Sequence, residues 1–192
     1  MTRKPILPLL ENLKNDRSEY VRRSVANNLN DIAKDNPDIV IQIAKQWQGK
    51  SKETDAIIKH GCRTLLKQGN SDILMHFGLE DNSKIEVTNF KIIKKAICVG
   101  ENLEFSFLLQ NNDDKTQLVR LEYGIHYLRK NGQLSKKLFK ITERQINPKE
   151  QIEIQRRPSF KIITTRQFYI GQQKLSIIVN GQEREIDNFE LM

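Results

Sequence analysis

The strongest constraint on this chain is a change of hydrophobic period near residue 80. Ahead of it, apolar residues recur every three or four positions; beyond it they alternate with polar ones. The first pattern is a helix burying one stripe, the second a strand burying one face. The 192 residues are therefore expected to divide into a helical stretch over 1–80 and a strand-built stretch over 83–192, with the boundary between 78 and 84.

In the helical stretch, Lys4-Pro5 opens a first short helix over Ile6, Leu9, Leu10 and Leu13, with Pro8 tolerated in its first turn. Ser18 is the expected N-cap of a second, whose apolar positions Val21, Val25, Leu29 and Ile32 make one buried face. Asn36-Pro37 stops it and starts a third carrying Ile39, Ile41, Ile43 and Trp47, closed by Gly49. Thr54 is expected to cap a fourth, with Ile57, Ile58, Leu65 and Leu66, which Gly69 ends. Ser71 opens a last short helix through Phe77, and Gly78 finishes the run. Helices joined by tight turns and paired about every 35 to 40 residues suggest HEAT-like repeats. Such units need about three or more stacked neighbours to bury their faces. Two and a half pairs make an incomplete solenoid.

After residue 82, Ile85-Glu86-Val87, Leu103 to Phe107, Leu121-Glu122-Tyr123 and Ile152-Glu153-Ile154 alternate apolar with polar. Asn131-Gly132 and Asn180-Gly181 stand between alternating runs and predict two-residue hairpins with both turn positions at positive φ. Seven or eight short strands with regular turns imply an immunoglobulin-like β-sandwich. It would lack the disulfide of antibody domains, because only Cys98 lies in this half and Cys62 lies in the other. Both read as reduced thiols.

Charge narrows the function. There are 32 Lys+Arg against 24 Asp+Glu, a formal net charge of +8 shared by both halves, which favours an anionic partner, nucleic acid ahead of a membrane. No apolar run reaches the roughly 18 residues of a spanning helix, and no apolar signal stretch follows Met1-Thr2-Arg3-Lys4-Pro5; the expected compartment is the cytoplasm. Gly49-Lys50-Ser51 imitates the tail of a phosphate-binding loop, but Ala44 holds the place of the upstream glycine. His60, Cys62 and His76 do not make a metal set, since His60 and Cys62 point to different faces of one helix. No hydrolase elbow, zincin or dinucleotide fingerprint occurs, and no cofactor or metal is expected.

The most unusual stretch is Ser18 to Ile32, where Arg23, Asn27, Asn30 and Asp31 cluster at three- and four-residue spacings although asparagine is a poor helix former. Two readings stand: a binding face, or a ladder in which Asn side chains bond the next helix pair. A second concentration of charge surrounds Asn131-Gly132. Arg129, Lys130, Lys136, Lys137 and Lys140 occur with no acid between Glu122 and Glu143, and alternation sends Lys136 and Lys140 to one face and Lys137 to the other. The acid-free run from Ile154 to Gln182 adds Arg156, Arg157, Lys161, Arg166 and Lys174. These lysines either guard exposed strands against aggregation or form a basic rim that grips a nucleic-acid backbone.

The run Tyr20 to Ile32, followed by Lys34-Asp35-Asn36-Pro37, resembles the HEAT-like DNA alkylation repair proteins of the AlkC branch. Lys59-His60, Arg63 to Lys67 and Gly69 resemble that family's next helix, and Gly100-Glu101, Lys136 to Lys140 and Asn180-Gly181 fall where its C-terminal Ig-like domain lies. The resemblance implies a 3-methyladenine type DNA glycosylase that binds double-stranded DNA and removes cationic N-alkylated bases. It implies Asp31 as the catalytic carboxylate, kept ionised by Arg22 or Arg23. It also implies backbone contacts from Lys59, His60 and Arg63, to which the polar row of Arg22, Arg23, Asn27 and Asn30 and the basic rim of Lys136, Lys137 and Lys140 are expected to add theirs. Ala56 stands where many relatives carry Trp. Relatives have further repeats ahead of the Pro5 to Leu10 segment, so the chain is expected to be the C-terminal half of such a protein, possessing activity only if those repeats are supplied by a partner chain or are unnecessary. The alternative function is a non-catalytic helical-repeat and Ig-like scaffold for a protein partner.

Overall fold

The computed structural model describes residues 6–79, 83–162, 164 and 167–192, and the chain divides into two compact units, Met1–Gly78 and Leu79–Met192. Lys4, Pro5 and Arg166 lie outside the described residues.

The first unit holds α1 (Leu7–Leu13), α2 (Glu19–Asp35), α3 (Pro37–Trp47), α4 (Lys52–Gly61), α5 (Arg63–Gln68) and α6 (Ser71–His76). Val25, Leu29 and Ile32 of α2 are at most 2% exposed, with Ala26 and Ala33 beside them, while Val21 is only half-buried. Burying each large aliphatic side chain contributes about 1.5–3 kcal/mol. Gly61 lets α4 come close to α2: a Cβ there would stand 3.0 Å from Leu29 Cβ and 3.5 Å from the Ala26 carbonyl.

Three local expectations change. Ser18 stands at the N-cap of α2 but its side chain makes no cap bond; its N–H donates to the Asp16 carboxylate at 2.7 Å, so Asp16 shapes the turn. The cap of α4 is Ser51, not Thr54. Ser51 Oγ accepts from the Thr54 N–H at 3.1 Å while Thr54 Oγ1 accepts from the Ser51 N–H at 3.0 Å, a reciprocal box that starts the helix three residues early. The fourth helix is also broken at Cys62 into α4 and α5, and Gly69, at φ +69°, ends the second piece. In α3 the buried set is Val40, Ile41, Ala44 and Trp47, a helical stripe, with Ile39 and Ile43 half-buried at its edges. Trp47 Nε1 donates to Glu11 at 2.8 Å, tying α3 to α1.

The second unit is an immunoglobulin-like sandwich of β1 (Ile85–Ile92), β2 (Ala96–Ile97), β3 (Phe105–Asn111), β4 (Gln117–Leu128), β5 (Leu134–Ile146), β6 (Gln151–Arg156), β7 (Gly171–Val179) and β8 (Gln182–Leu191). One sheet has the order β1-β3-β6 and the other β2-β8-β7-β4-β5, all pairings antiparallel except β2 with β8. Phe105, Phe107 and Leu109 of β3, Val119, Leu121 and Ile125 of β4, Leu175, Ile177 and Val179 of β7, and Phe189 of β8 form the core with Phe160. The Asn180-Gly181 turn has both residues at positive φ, +46° and +77°. Asn131-Gly132 does not: only Gly132 is left-handed (+77°), its N–H bonds the Arg129 carbonyl, and Arg129 pairs with Gln133. The connection is a three-residue loop, in which one glycine supplies the needed twist.

Buried polar groups complete this unit. Asn111, 0% exposed, donates Nδ2 to the carbonyls of Lys115, Ile146 and Asn147 at 2.9, 3.1 and 3.0 Å. Arg120 donates to Glu122 at 2.8 Å and to Glu143 at 3.1 Å, all three side chains at most 12% exposed.

Candidate nucleic-acid interface

Early residues of α2 share a cavity with the first turns of α4, and later ones reach His60 and Thr64, so α2 and the α4–α5 pair run side by side in the same direction. The offset is 33 to 34 residues. Between them lies a cavity of about 380 Å³ lined by Glu19, Arg22, Arg23 and Ala26 from α2 and Lys52, Glu53, Ala56, Ile57 and His60 from α4. Its floor is alanine and isoleucine; its rim is charged. The α2 members follow i, i+3, i+4, i+7 spacing, which puts them on one stripe.

On that rim the cations are held lightly. Arg23 pairs with Glu19 at 2.8 Å across an exposed i,i+4 spacing. Arg22 donates to the carbonyls of Asp16 and Arg17 at 2.7 and 3.0 Å, which orients it without neutralising it. His60 Nε2 lies 2.9 Å from Asn27 Oδ1 and 2.9 Å from Arg63 Nη1. Burial first, then the Arg63 and Arg23 charges, lowers the His60 pKa below its ordinary 6.5.

Asn30 does not face solvent as a contact residue would. It is 3% exposed, and its Oδ1 accepts from Thr64 N–H at 3.2 Å and Thr64 Oγ1 at 2.8 Å. Three residues fall about 60° short of a full turn, which rotates Asn30 from Asn27 toward buried Ala26 and Ala33, so Asn30 is a rung between helices. Asp31 is exposed and paired with Lys34 at 2.7 Å, not with Arg22 or Arg23, and it does not line the cavity. Eight residues past Arg23, it sits about 12 Å further along the helix axis. Lys59 lies on the other flank of α4, its Nζ 4.4 Å from the Phe77 ring, beside a second cavity of about 400 Å³ lined by Gln48, Asp55, Ala56, Ile58, Lys59 and Phe77. Ala56 borders both cavities.

The sandwich lysines are each engaged, one of them by an acid remote in sequence. Lys136 on β5 reaches Glu183 on β8 across the two strands between them; Lys140 pairs with Glu143 at 3.1 Å; and Lys137 Nζ stands 5.6 Å from the Phe139 ring. Arg157 pairs with Glu104 at 3.1 Å. His126, beside Lys136 and Glu183, is also lowered, mainly by burial.

The Gly49-Lys50-Ser51 segment is accounted for by folding: Gly49 (φ +76°) turns the chain, its N–H donates to Asp55 at 2.7 Å, and Ser51 caps α4. Among the described residues no group of three or more His, Cys, Asp and Glu is arranged to hold a metal ion, and no helix is long and apolar enough to cross a membrane. Glu19, Lys52 and Glu53 carry no site signal in the sequence, and Ile57 reads there only as an apolar helix position, because a shared cavity between helices 33 residues apart leaves only a stripe of mixed character in each.

A helical unit carrying a charged inter-helix cavity, followed by an Ig-like sandwich, defines the class of protein. Residues 86–192 match the model described as "Uncharacterised protein YhaZ, C-terminal Ig-like domain", and the chain belongs to that family. It is 45% identical over 187 residues to protein YhaZ of Bacillus subtilis strain 168, covering 97% of this chain and 52% of that protein. It is also similar to Pseudomonas fluorescens alkylpurine DNA glycosylase AlkC bound to DNA containing an abasic site analog. There the identity is 31%, the TM-score 0.94, and the cover 100% of this chain and 53% of that one. The chain thus spans about half the length of these relatives.

Proposed function

We propose that this chain serves DNA alkylation repair as the DNA-contacting C-terminal half of an AlkC-like protein, binding duplex DNA and, in the complete protein, releasing cationic N-alkylated bases. The observation that carries this reading is the match of this whole chain, at a TM-score of 0.94, to 53% of a glycosylase whose structure holds DNA with an abasic site analog. The helices are read as HEAT-like pairs, which the same-direction packing of α2 and α4 supports.

An alkylated base already carries positive charge and leaves with the electron pair of the C1′–N bond. Positive charge then develops on the deoxyribose before water adds to C1′, and a fixed carboxylate lowers that barrier. Asp31 is assigned this role. Its i,i+3 ion pair with Lys34 is exposed, and such a pair is worth about 0.2–1 kcal/mol. Arg22, Arg23 and His60 take the phosphodiester backbone at the cavity, Asn27 and Arg63 beside His60, Lys59 from the other flank, and Lys136, Lys137 and Lys140 as a rim that reads no bases. Asn30 holds α2 to α5 behind them.

Duplex binding through several phosphates weakens steeply as salt rises, whereas an apolar protein interface barely responds. Anisotropy titrations over a range of salt separate DNA binding from the scaffold alternative, and a flat response defeats the reading. In the complete protein, Asp31→Asn is expected to slow release of alkylated base about a hundred- to a thousandfold at unchanged DNA affinity; equal rates remove Asp31 from the chemistry.

A further inference from the structure

His60 Nε2 is contacted from two sides, by Asn27 Oδ1 of α2 and by Arg63 Nη1 of α5, each at 2.9 Å. One ring nitrogen carries either a proton or a lone pair, so it cannot donate to the amide oxygen and accept from the guanidinium at once. With the lone pair on Nε2, the neutral ring accepts from Arg63 and the Asn27 contact goes unused. With a proton on Nε2, the ring donates to Asn27, and Arg63 must turn away.

The surroundings bias this choice. Burial first, then Arg63 on α5 and Arg23 on α2, disfavours a proton on the ring. Arg22, Lys52, Glu19 and Glu53 line the same cavity; Glu19 is engaged by Arg23, and Lys59, the neighbour on His60's own helix, lies over Phe77. An anion entering the cavity reverses the sign of the local field, offers Arg63 a better acceptor than imidazole, and favours a charged ring.

We propose that the α2–α4 cavity seats one phosphodiester of a DNA backbone, and that its arrival draws Arg63 from His60 onto the anion while His60 takes up one proton and donates Nε2–H to Asn27. The neutral ring keeps its proton on Nδ1; the second comes from solvent, so one proton enters per phosphate seated. This rests on the DNA-binding reading above and adds a protonation switch to it. Below the pKa of the bound ring and above that of the free ring, affinity rises as pH falls, by at most about tenfold per pH unit for a single proton.

The test is calorimetry of this chain with a short duplex near pH 6.5, in two buffers of different ionisation enthalpy, beside an NMR titration of the histidine rings. The expected result is net uptake of up to one proton, absent in His60→Gln, and a His60 resonance that titrates at higher pH with DNA than without. Binding without proton uptake overturns this proposal alone. Uptake retained in His60→Gln overturns it as well, by moving the proton to His76, His126 or the DNA. No binding of the duplex at any pH overturns the DNA-binding reading and this proposal with it.

Discussion

Both units concentrate positive charge, but they hold it differently. In the helical unit Arg22, Arg23 and His60 line a cavity and Arg63 touches His60, with backbone carbonyls, one exposed carboxylate and each other as partners. In the sandwich, Arg120, Lys136 and Lys140 are matched to Glu122, Glu143 and Glu183, in part inside the protein. Local charge density is therefore a poor guide to a site. What matters is whether each cation's partner is a commitment of the fold or a loose contact that a ligand displaces.

The widest contrast is expected between two glutamates. Glu122→Ala leaves the buried Arg120 guanidinium without its closest partner, and breaking a buried pair in this way costs about 3–5 kcal/mol. Glu19→Ala removes an exposed partner of Arg23 and is expected to change stability by about 0.5 kcal/mol or less while tightening duplex binding. Denaturant midpoints and anisotropy on both variants break the comparison if the costs are similar.

Salt dependence sharpens it next. Replacing Arg22, Arg23 and Arg63 by Gln is expected to flatten the slope of log affinity against log salt by about 0.9 for each phosphate that is no longer neutralised. The triple change of Lys136, Lys137 and Lys140 to Gln is expected to flatten it less, because two of these lysines must first leave Glu183 and Glu143. An equal effect would give the sandwich the same standing as the helices.

A smaller effect tests the packing behind the cavity. Gly61→Ala gains helix propensity of about 1 kcal/mol but sets a methyl 3.0 Å from Leu29 Cβ, on a side chain 1% exposed. Overpacking of this kind costs about 1–3 kcal/mol, so a net destabilisation near ~1 kcal/mol is expected in thermal or urea unfolding.

The smallest effect is on pH. His60, His76 and His126 are all lowered from 6.5, in each case mainly by burial, and His76 Nε2 is buried with no hydrogen-bond partner among the described residues. The unfolded chain then binds more protons than the folded one, so their contribution is complete above about 6.5 and declines as pH falls through their folded values. Urea midpoints that drop between neutral and mildly acid pH, and drop less in His76→Gln, are the expected outcome.

Period and turn chemistry were legible in the residues themselves. Val25, Leu29 and Ile32 mark the buried stripe of α2, Gly69 ends a helix, and Asn180-Gly181 turns a hairpin, because helix phase and φ preference act over a few residues. Errors of the same range were also local: Ser51 took the cap expected of Thr54, and Cys62 broke one helix into two. Tertiary structure alone decided the fate of the polar groups. It buried Asn30 against Thr64, brought Asn27 to His60, swung Lys59 over Phe77, and carried Glu183 across two strands to Lys136. A hydrogen bond or ion pair is made within about 3 Å, and the chain brings those atoms together only after residues 33, 34 or 47 apart have been folded side by side.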